Sequence, residues 1–467
     1  MVEDERLREL LRGTELEDDP RIQRLLAAAA GTPSEYEQEQ AARLVKLELV
    51  RQMGSPFSET GLSSGGVYLG ETLGGRTPGF LNENELSRHL LSVGRPGAGK
   101  TNFFMHLMNE VDCPWWVFDL KQDYRHLVRQ DSDVLVVPLE ELRWNVLQPP
   151  PGVDEDQWVQ TFAELFADSQ ALLDASRNYT LRKTRELFEL AEDESVYPSV
   201  KQLLLYIIKD GVNYTRKQSN YRDTVLNRLN GVLQDANGVF DCHGSYPFDD
   251  LLERNVVFEM DGRSTATQNF VMELLLAWIH EYRKAQNHRG SGVRHLLFFD
   301  EAKTMFSRNK EEDVKQGILE IDRRLARLRE FQEGVVAADQ EASKLTESLK
   351  ANTKSKVLFS TGSREELDEV AGAMSLTELQ RLRAEDLGVG EAVVHVQGRD
   401  PCLVRVPRVD VEKSVTNEEL RECFVGEWRS FQREAEQDGE VYIPFDSDDD
   451  VRDSSEAESG SRSLEDY

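Results

Sequence analysis

The chain has 467 residues, too many for one ordinary domain; 39% are hydrophobic and 8% aromatic, enough for a substantial core. No apolar run approaches the roughly 18 residues that span a bilayer, and the acidic start Met1-Val2-Glu3-Asp4-Glu5-Arg6 is unlike a signal peptide, so a cytoplasmic protein with no membrane partner is expected. The net charge of −30, from 86 acidic against 56 basic residues, argues against a generally basic nucleic-acid surface, so any DNA contact must be local.

Only 16 of the basic residues are lysine. An acid-rich, lysine-poor surface suits a halophilic cytoplasm, where screening shortens the Debye length to about 3 Å at 1 M salt. The four cysteines, Cys113, Cys242, Cys402 and Cys423, lie far apart and offer neither a disulfide framework nor a zinc knuckle.

Residues 1–53 carry apolar positions at helical spacing: Leu7, Leu10 and Leu11, then Ile22, Leu25 and Leu26, then Leu44, Leu47 and Val50. Pro20 and Gly31-Thr32-Pro33 interrupt them, which predicts a small helical appendage. Residues 54–153 begin as a Gly/Ser/Thr-rich lead-in with one strand at Val67-Tyr68-Leu69, then enter the core. Strands are expected at His89–Val93, Trp115–Asp119, Val134–Val137, Val256–Met260, His295–Asp300, Val335–Ala338, Val357–Ser360, Ala392–Val396 and Cys402–Val406. Helical stretches separate most of them, so the fold class is α/β, with a parallel sheet covered on both faces. Residues 154–236 show only helix-period positions, such as Trp158, Phe162, Leu165 and Phe166, and read as an all-helical insertion. Residues 237–413 complete the core and 414–437 hold a helix. The tail, 438–467, is expected to be disordered: from Pro444 it has nine acidic residues against two arginines.

Gly94-Arg95-Pro96-Gly97-Ala98-Gly99-Lys100-Thr101 fits the phosphate-binding pattern G-x-x-x-x-G-K-[ST]. It follows an apolar strand and opens a helical run at Asn102, the context the pattern demands. Glycines let backbone N–H groups curl around phosphate, and the helix N-terminus adds its dipole. Lys100 is expected to reach the β- and γ-phosphates of ATP, and the Thr101 hydroxyl to ligate Mg²⁺. The nucleotide-binding set is thus 94–101 with Asn102.

Leu296-Leu297-Phe298-Phe299-Asp300-Glu301 delivers two carboxylates at the end of an apolar strand, where open α/β sheets place ligands. Asp300 is expected on Mg²⁺, and Glu301 as the group that orients or deprotonates the attacking water. Gln340 ends the next strand and could touch the γ-phosphate or its water, or simply cap the strand. Lys121 and Asp123, after the second strand, are as readily surface charges as site residues.

Taken in order, these segments resemble the HerA–FtsK superfamily of P-loop ring ATPases, most closely its HerA-like members. Val67-Tyr68-Leu69-Gly70, Leu86-Ser87-Arg88-His89, Phe118-Asp119-Leu120-Lys121-Gln122-Asp123-Tyr124, Trp144-Asn145-Val146-Leu147, Arg329-Glu330-Phe331, Gln340 and Ala351-Asn352 carry the likeness, over roughly residues 67–407. Val146 stands where the family usually has proline, and the helical residues 1–53 replace its usual N-terminal β-barrel.

The resemblance implies a RecA-like core, a homo-hexamer, and translocation of duplex DNA driven by ATP with Mg²⁺. It also implies a neighbour-facing arginine. Arg324, Arg327 and Arg329 follow the Asp-Glu strand, Arg329 being the expected finger, with Arg228 weaker. Two other functions share the chemistry: a conjugation or genome-packaging motor, and a nucleotide-dependent scaffold recruiting a nuclease or other effector.

Overall fold

The computed structural model describes residues 2–31, 34–191, 196–209, 216–308 and 320–436; the expected acidic tail and the Thr32-Pro33 break lie outside them. The described strands are β1 (Val67–Thr72), β2 (Pro78–Leu81), β3 (Leu90–Val93), β4 (Trp115–Asp119), β5 (Leu135–Pro138), β6 (Val256–Glu259), β7 (His295–Asp300), β8 (Glu333–Asp339), β9 (Ser355–Leu358), β10 (Glu391–Val396) and β11 (Cys402–Arg405). They form one eleven-stranded sheet in the order β2-β1-β11-β10-β9-β3-β8-β7-β4-β6-β5.

From β9 to β5 every neighbouring pair is parallel. These strands are near-continuous apolar runs, as burial on both faces requires: Trp115-Trp116-Val117-Phe118 and Leu296-Leu297-Phe298-Phe299 are buried throughout. Each such side chain contributes about 1.5–3 kcal/mol on burial. Helix Thr265–Ala285 is buried along most of its surface, packing on helices Glu155–Ser169 and Glu320–Leu328.

Beyond the expected parallel strands, the sheet continues antiparallel on one side. β9–β10, β10–β11, β11–β1 and β1–β2 are antiparallel. Only a short turn containing Gly398 (φ +89°) joins β10 to β11, and a connection that short permits only a hairpin. β2 escapes sequence reading because it is a four-residue edge strand opening on proline, the one place in a sheet where that residue is readily accepted.

Residues 155–236 supply helices Glu155–Ser169, Asp174–Ala191, Val200–Lys209 and Arg216–Ala236. The N-terminal segment folds as helices Val2–Leu11, Pro20–Gly31 and Glu35–Met53 around a small core of their own, which Leu379 of helix Glu378–Glu385 joins. Lys46–Glu378 (2.7 Å) and Arg43–Asp386 (3.2 Å) pair across this contact. Of the apolar positions at helical spacing in the third helix, Leu44 faces outward. Ala42, Val45 and Leu49 point into the small core while Leu44 is 51% exposed. The alanines permit close helix approach, and the i, i+3/i+4 geometry then turns Leu44 outward.

Candidate functional site

The parallel strands all point their C-terminal ends at one edge, and the chemistry-bearing residues gather there. β8 lies between β3 and β7, in register Val93↔Asp339 and Asp300↔Ala338. The strand preceding the glycine-rich loop and the strand preceding Glu301 are therefore separated by the one that ends at Asp339, just before Gln340.

The loop after β3 hangs from its neighbours by backbone bonds. Gly94 N donates to Asp339 O (3.2 Å), Arg95 N to Ser360 O (2.7 Å), and Gly390 N to Ala98 O (3.0 Å). Two glycines are required by geometry. A Cβ on Gly94 would sit 2.6 Å from Phe359 Cβ, and Gly99 takes φ +122° as it caps helix Lys100–Glu110. No side chain caps that N-terminus, so its first-turn amides keep their donor capacity.

Lys100 is buried. Its Nζ donates to the carbonyls of Gly94 (2.6 Å) and Arg95 (3.2 Å). Burial lowers its pKa, opposed by the nearby charges of Asp300 and Asp339. Thr101 Oγ1 lies 3.5 Å from Asp300 Oδ2, 199 residues away in sequence. Asn102 is used structurally in this conformation: Nδ2 donates to Pro407 O and Oδ1 accepts from Val409 N, both at 2.8 Å, clamping the segment after β11 to the phosphate-loop helix.

Asp300 ends β7, and its Oδ2 accepts a hydrogen bond from the Tyr124 hydroxyl at 2.9 Å. Burial raises its pKa, only partly offset by Tyr124 and Lys100. Glu301 adopts a left-handed backbone (φ +60°), an uncommon conformation for a residue with a side chain. Its carboxylate is paired with Lys121 Nζ, and that hydrogen bond raises the lysine pKa.

Asp119 ends β4, almost fully buried. It accepts backbone hydrogen bonds from Lys121 (3.0 Å) and Tyr124 (2.8 Å), and burial pushes its pKa up to about 6. Asp339 plays the same anchoring part after β8, accepting from the amides of Lys303, Gln340 and Glu341.

Pro96, Gly97, Gly99, Lys100, Thr101, Asn102, Lys121, Asp123, Asp300 and Gln340 line one open cleft of about 910 Å³, together with Gly388–Glu391 and Arg405–Arg408. Of the remaining sequence-predicted loop residues, Arg95 is exposed at the rim and Ala98 is buried behind it.

The structure keeps the expected arginines away from this cleft within one chain. Arg329 is exposed at the opposite end of β8, a seven-residue strand about 20 Å long at ~3.3 Å per residue. Arg324 is buried beside Glu281 (3.3 Å), Arg327 is exposed, and Arg228 sits on the insertion's surface. Sequence reasoning gave no role to Tyr124 or Asp119 and left Lys121 open. Their only signal was the pattern Asp119-Leu120-Lys121-Gln122-Asp123-Tyr124, whose spacing does not reveal that the loop folds back on Asp300 and Glu301.

The donor set fits a magnesium ion. A hydroxyl and a carboxylate are hard oxygen ligands, and Mg²⁺ characteristically takes one or two protein groups together with phosphate and water. Among the described residues no group of three or more His, Cys, Asp or Glu side chains is placed to hold a metal.

No protein-family model matches the sequence, and no curated protein matches it. Solved structures do. The chain is similar to VirB4 of Thermoanaerobacter pseudethanolicus with a TM-score of 0.61 at 15% identity, over 74% of this chain and 97% of that one. It is similar to the bacterial conjugative coupling protein TrwB lacking its first 70 residues, with a TM-score of 0.57 at 13% identity, over 78% and 97%. TrwB in complex with ADP and Mg²⁺ matches with a TM-score of 0.54 at 14% identity, over 71% and 87%. At these identities the likeness establishes the fold: the chain has the P-loop NTPase fold of VirB4 and TrwB, the class read from its sequence.

Proposed function

We propose that the protein is an ATP-hydrolysing motor that works as a homo-hexameric ring on duplex DNA. The observation that carries the ATPase reading is the meeting of Thr101 and Asp300 at 3.5 Å, with Lys100 and Glu301 in the same neighbourhood. The TrwB complex with ADP and Mg²⁺ supports the nucleotide and the ion.

Amides of 97–101 and Lys100 would hold the β- and γ-phosphates, and Arg95 and Pro96 would border them at the rim. Thr101 and Asp300 would hold Mg²⁺, whose charge offsets that developing on the phosphate oxygens. Glu301 takes the proton from the attacking water, and Gln340 reports the γ-phosphate. Arg329 is assigned to a neighbouring subunit's cleft, because it is exposed and far from its own.

The division into a helical unit 1–53, a core of 54–153 and 237–413, an insertion 154–236, a helix 414–437 and a tail 438–467 belongs to the same proposal. So does a cytoplasmic location. Among the described residues no helix is long and apolar enough to cross a membrane.

The likeness to a bacterial conjugative coupling protein favours a conjugation motor among the DNA-moving alternatives, of which genome packaging is the other. The separate small core of the N-terminal helices supports a second reading, a ring that recruits a nuclease or other effector through that unit. ATP hydrolysis by the full chain in high-potassium buffer, with and without duplex DNA and with mass measured in parallel, separates them. Duplex-stimulated turnover by a hexamer is expected of the motor. Turnover indifferent to DNA in a preparation that carries an effector would favour the scaffold. Glu301→Gln should keep ATP binding and slow hydrolysis about a hundredfold or more, since the amide retains the shape but accepts no proton.

A further inference from the structure

The loop after β4 touches both carboxylates of the Asp300-Glu301 pair. Asp119 fixes its backbone at Lys121 and Tyr124, and Gln122 takes φ +60° to close the turn. Tyr124 then reaches Asp300, and Lys121 reaches Glu301. Asp123, on the same loop, pairs with Lys413 at 2.5 Å in the segment leading to helix Asn417–Ala435.

The two contacts differ in kind. The Tyr124 hydroxyl steadies a carboxylate expected to stay ionised throughout the reaction. Lys121 occupies the one carboxylate that must accept a proton. A carboxylate oxygen bound to an ammonium offers that lone pair to nothing else, so the pair holds Glu301 away from an attacking water.

We infer that Lys121 is a positioning residue that holds Glu301 in an idle arrangement and sets a low basal rate of hydrolysis. The inference rests on the ATPase reading. When the pair opens, Glu301 takes a proton from water as the water oxygen bonds the γ-phosphorus. The bond from that phosphorus to the β,γ-bridging oxygen breaks, ADP leaves with the electron pair, and the proton passes on to the phosphate product. The pair is built to open: the Lys121 side chain is 53% exposed and the Glu301 side chain 25%. Ion pairs this wet are weak, so the restraint is modest and reversible. The Asp123–Lys413 tether links the restraint to the C-terminal helix.

The test is steady-state ATP hydrolysis by the full chain and by Lys121→Ala and Lys121→Arg, with binding of a fluorescent ATP analogue titrated separately. Lys121→Ala should raise kcat about two- to fivefold, the span an exposed ion pair covers, with KM and analogue affinity unchanged. Lys121→Arg, which keeps the cation, should restore the low rate. A merely structural lysine would not increase turnover when removed. A kcat at or below wild type in Lys121→Ala, or a raised KM, overturns the inference and makes Lys121 a phosphate ligand or a bystander. Wild-type protein that binds no analogue would sink the ATPase reading, and this inference with it; wild type that binds and hydrolyses ATP, beside an unaccelerated Lys121→Ala, refutes the inference alone.

Discussion

At the N-terminal ends of β7 and β8, Glu333 is fully buried between Arg283 Nε (2.6 Å) and His295 Nδ1 (2.9 Å). Burial pushes its pKa up, but the two partners win and hold the carboxyl below its usual range. At the C-terminal ends of the same strands, Asp300 and Asp339 are buried among backbone amides and a tyrosine hydroxyl, and there burial wins: both are raised. One end neutralises its buried charge within the chain. The other places Asp300 and Asp339 among hydrogen-bond donors, with Lys100 and Lys121 near Asp300 and Lys303 near Asp339 contributing smaller effects. A buried carboxylate is held low where a countercharge touches it directly and is raised where it meets mainly neutral donors; under the proposed function the latter end meets the nucleotide and its ion.

Substitutions at the two ends should therefore fail in different ways. The largest effect is expected at the ligand end. Lys100→Ala should cut ATP turnover about a hundredfold or more while the melting temperature stays close to wild type, because the side chain makes only two hydrogen bonds to loop carbonyls. Near-normal turnover would break the comparison at once. Glu333→Gln should do the reverse, leaving Arg283 buried without its countercharge and changing the partner of His295. Its cost is about 3–5 kcal/mol of stability in urea unfolding, with little change in kcat for the molecules that remain folded. A stable but inactive Glu333→Gln would show that the N-terminal end serves the chemistry directly. Smaller again is Tyr124→Phe, which removes one hydrogen bond from Asp300. The Mg²⁺ concentration for half-maximal hydrolysis should rise about 10- to 100-fold with the fold intact, as loss of such a supporting bond typically does. A magnesium dependence that does not move would mean Asp300 needs no orienting partner.

How much of this was legible beforehand depends on how local each signal is. The phosphate loop could be read because its eight residues are contiguous, and because an apolar strand before it and a helical run after it leave the chain one way to turn. The parallel strands could be read because burial on both faces demands unbroken apolar runs such as Leu296–Phe299. β2 could not: four edge residues bury too little to impose a pattern. In the third N-terminal helix the spacing of Leu44, Leu47 and Val50 marks a helix but not its inward face, which packing places at Ala42, Val45 and Leu49.

By itself the sequence determined the core class, the strand ends at which Asp119, Asp300 and Asp339 appear, and the glycines and lysine of the phosphate loop, since each follows from backbone geometry or periodicity within a few residues. Only the tertiary structure decided the pairings: Lys121 with Glu301, Tyr124 with Asp300, Glu333 with Arg283 and His295, and Asn102 with the segment at Pro407–Val409. It also decided the antiparallel side and the placement of Arg329 at the far end of β8. These depend on which strands become neighbours and which loop folds over which edge. That choice is settled by long-range burial, and a spacing along the chain does not encode it.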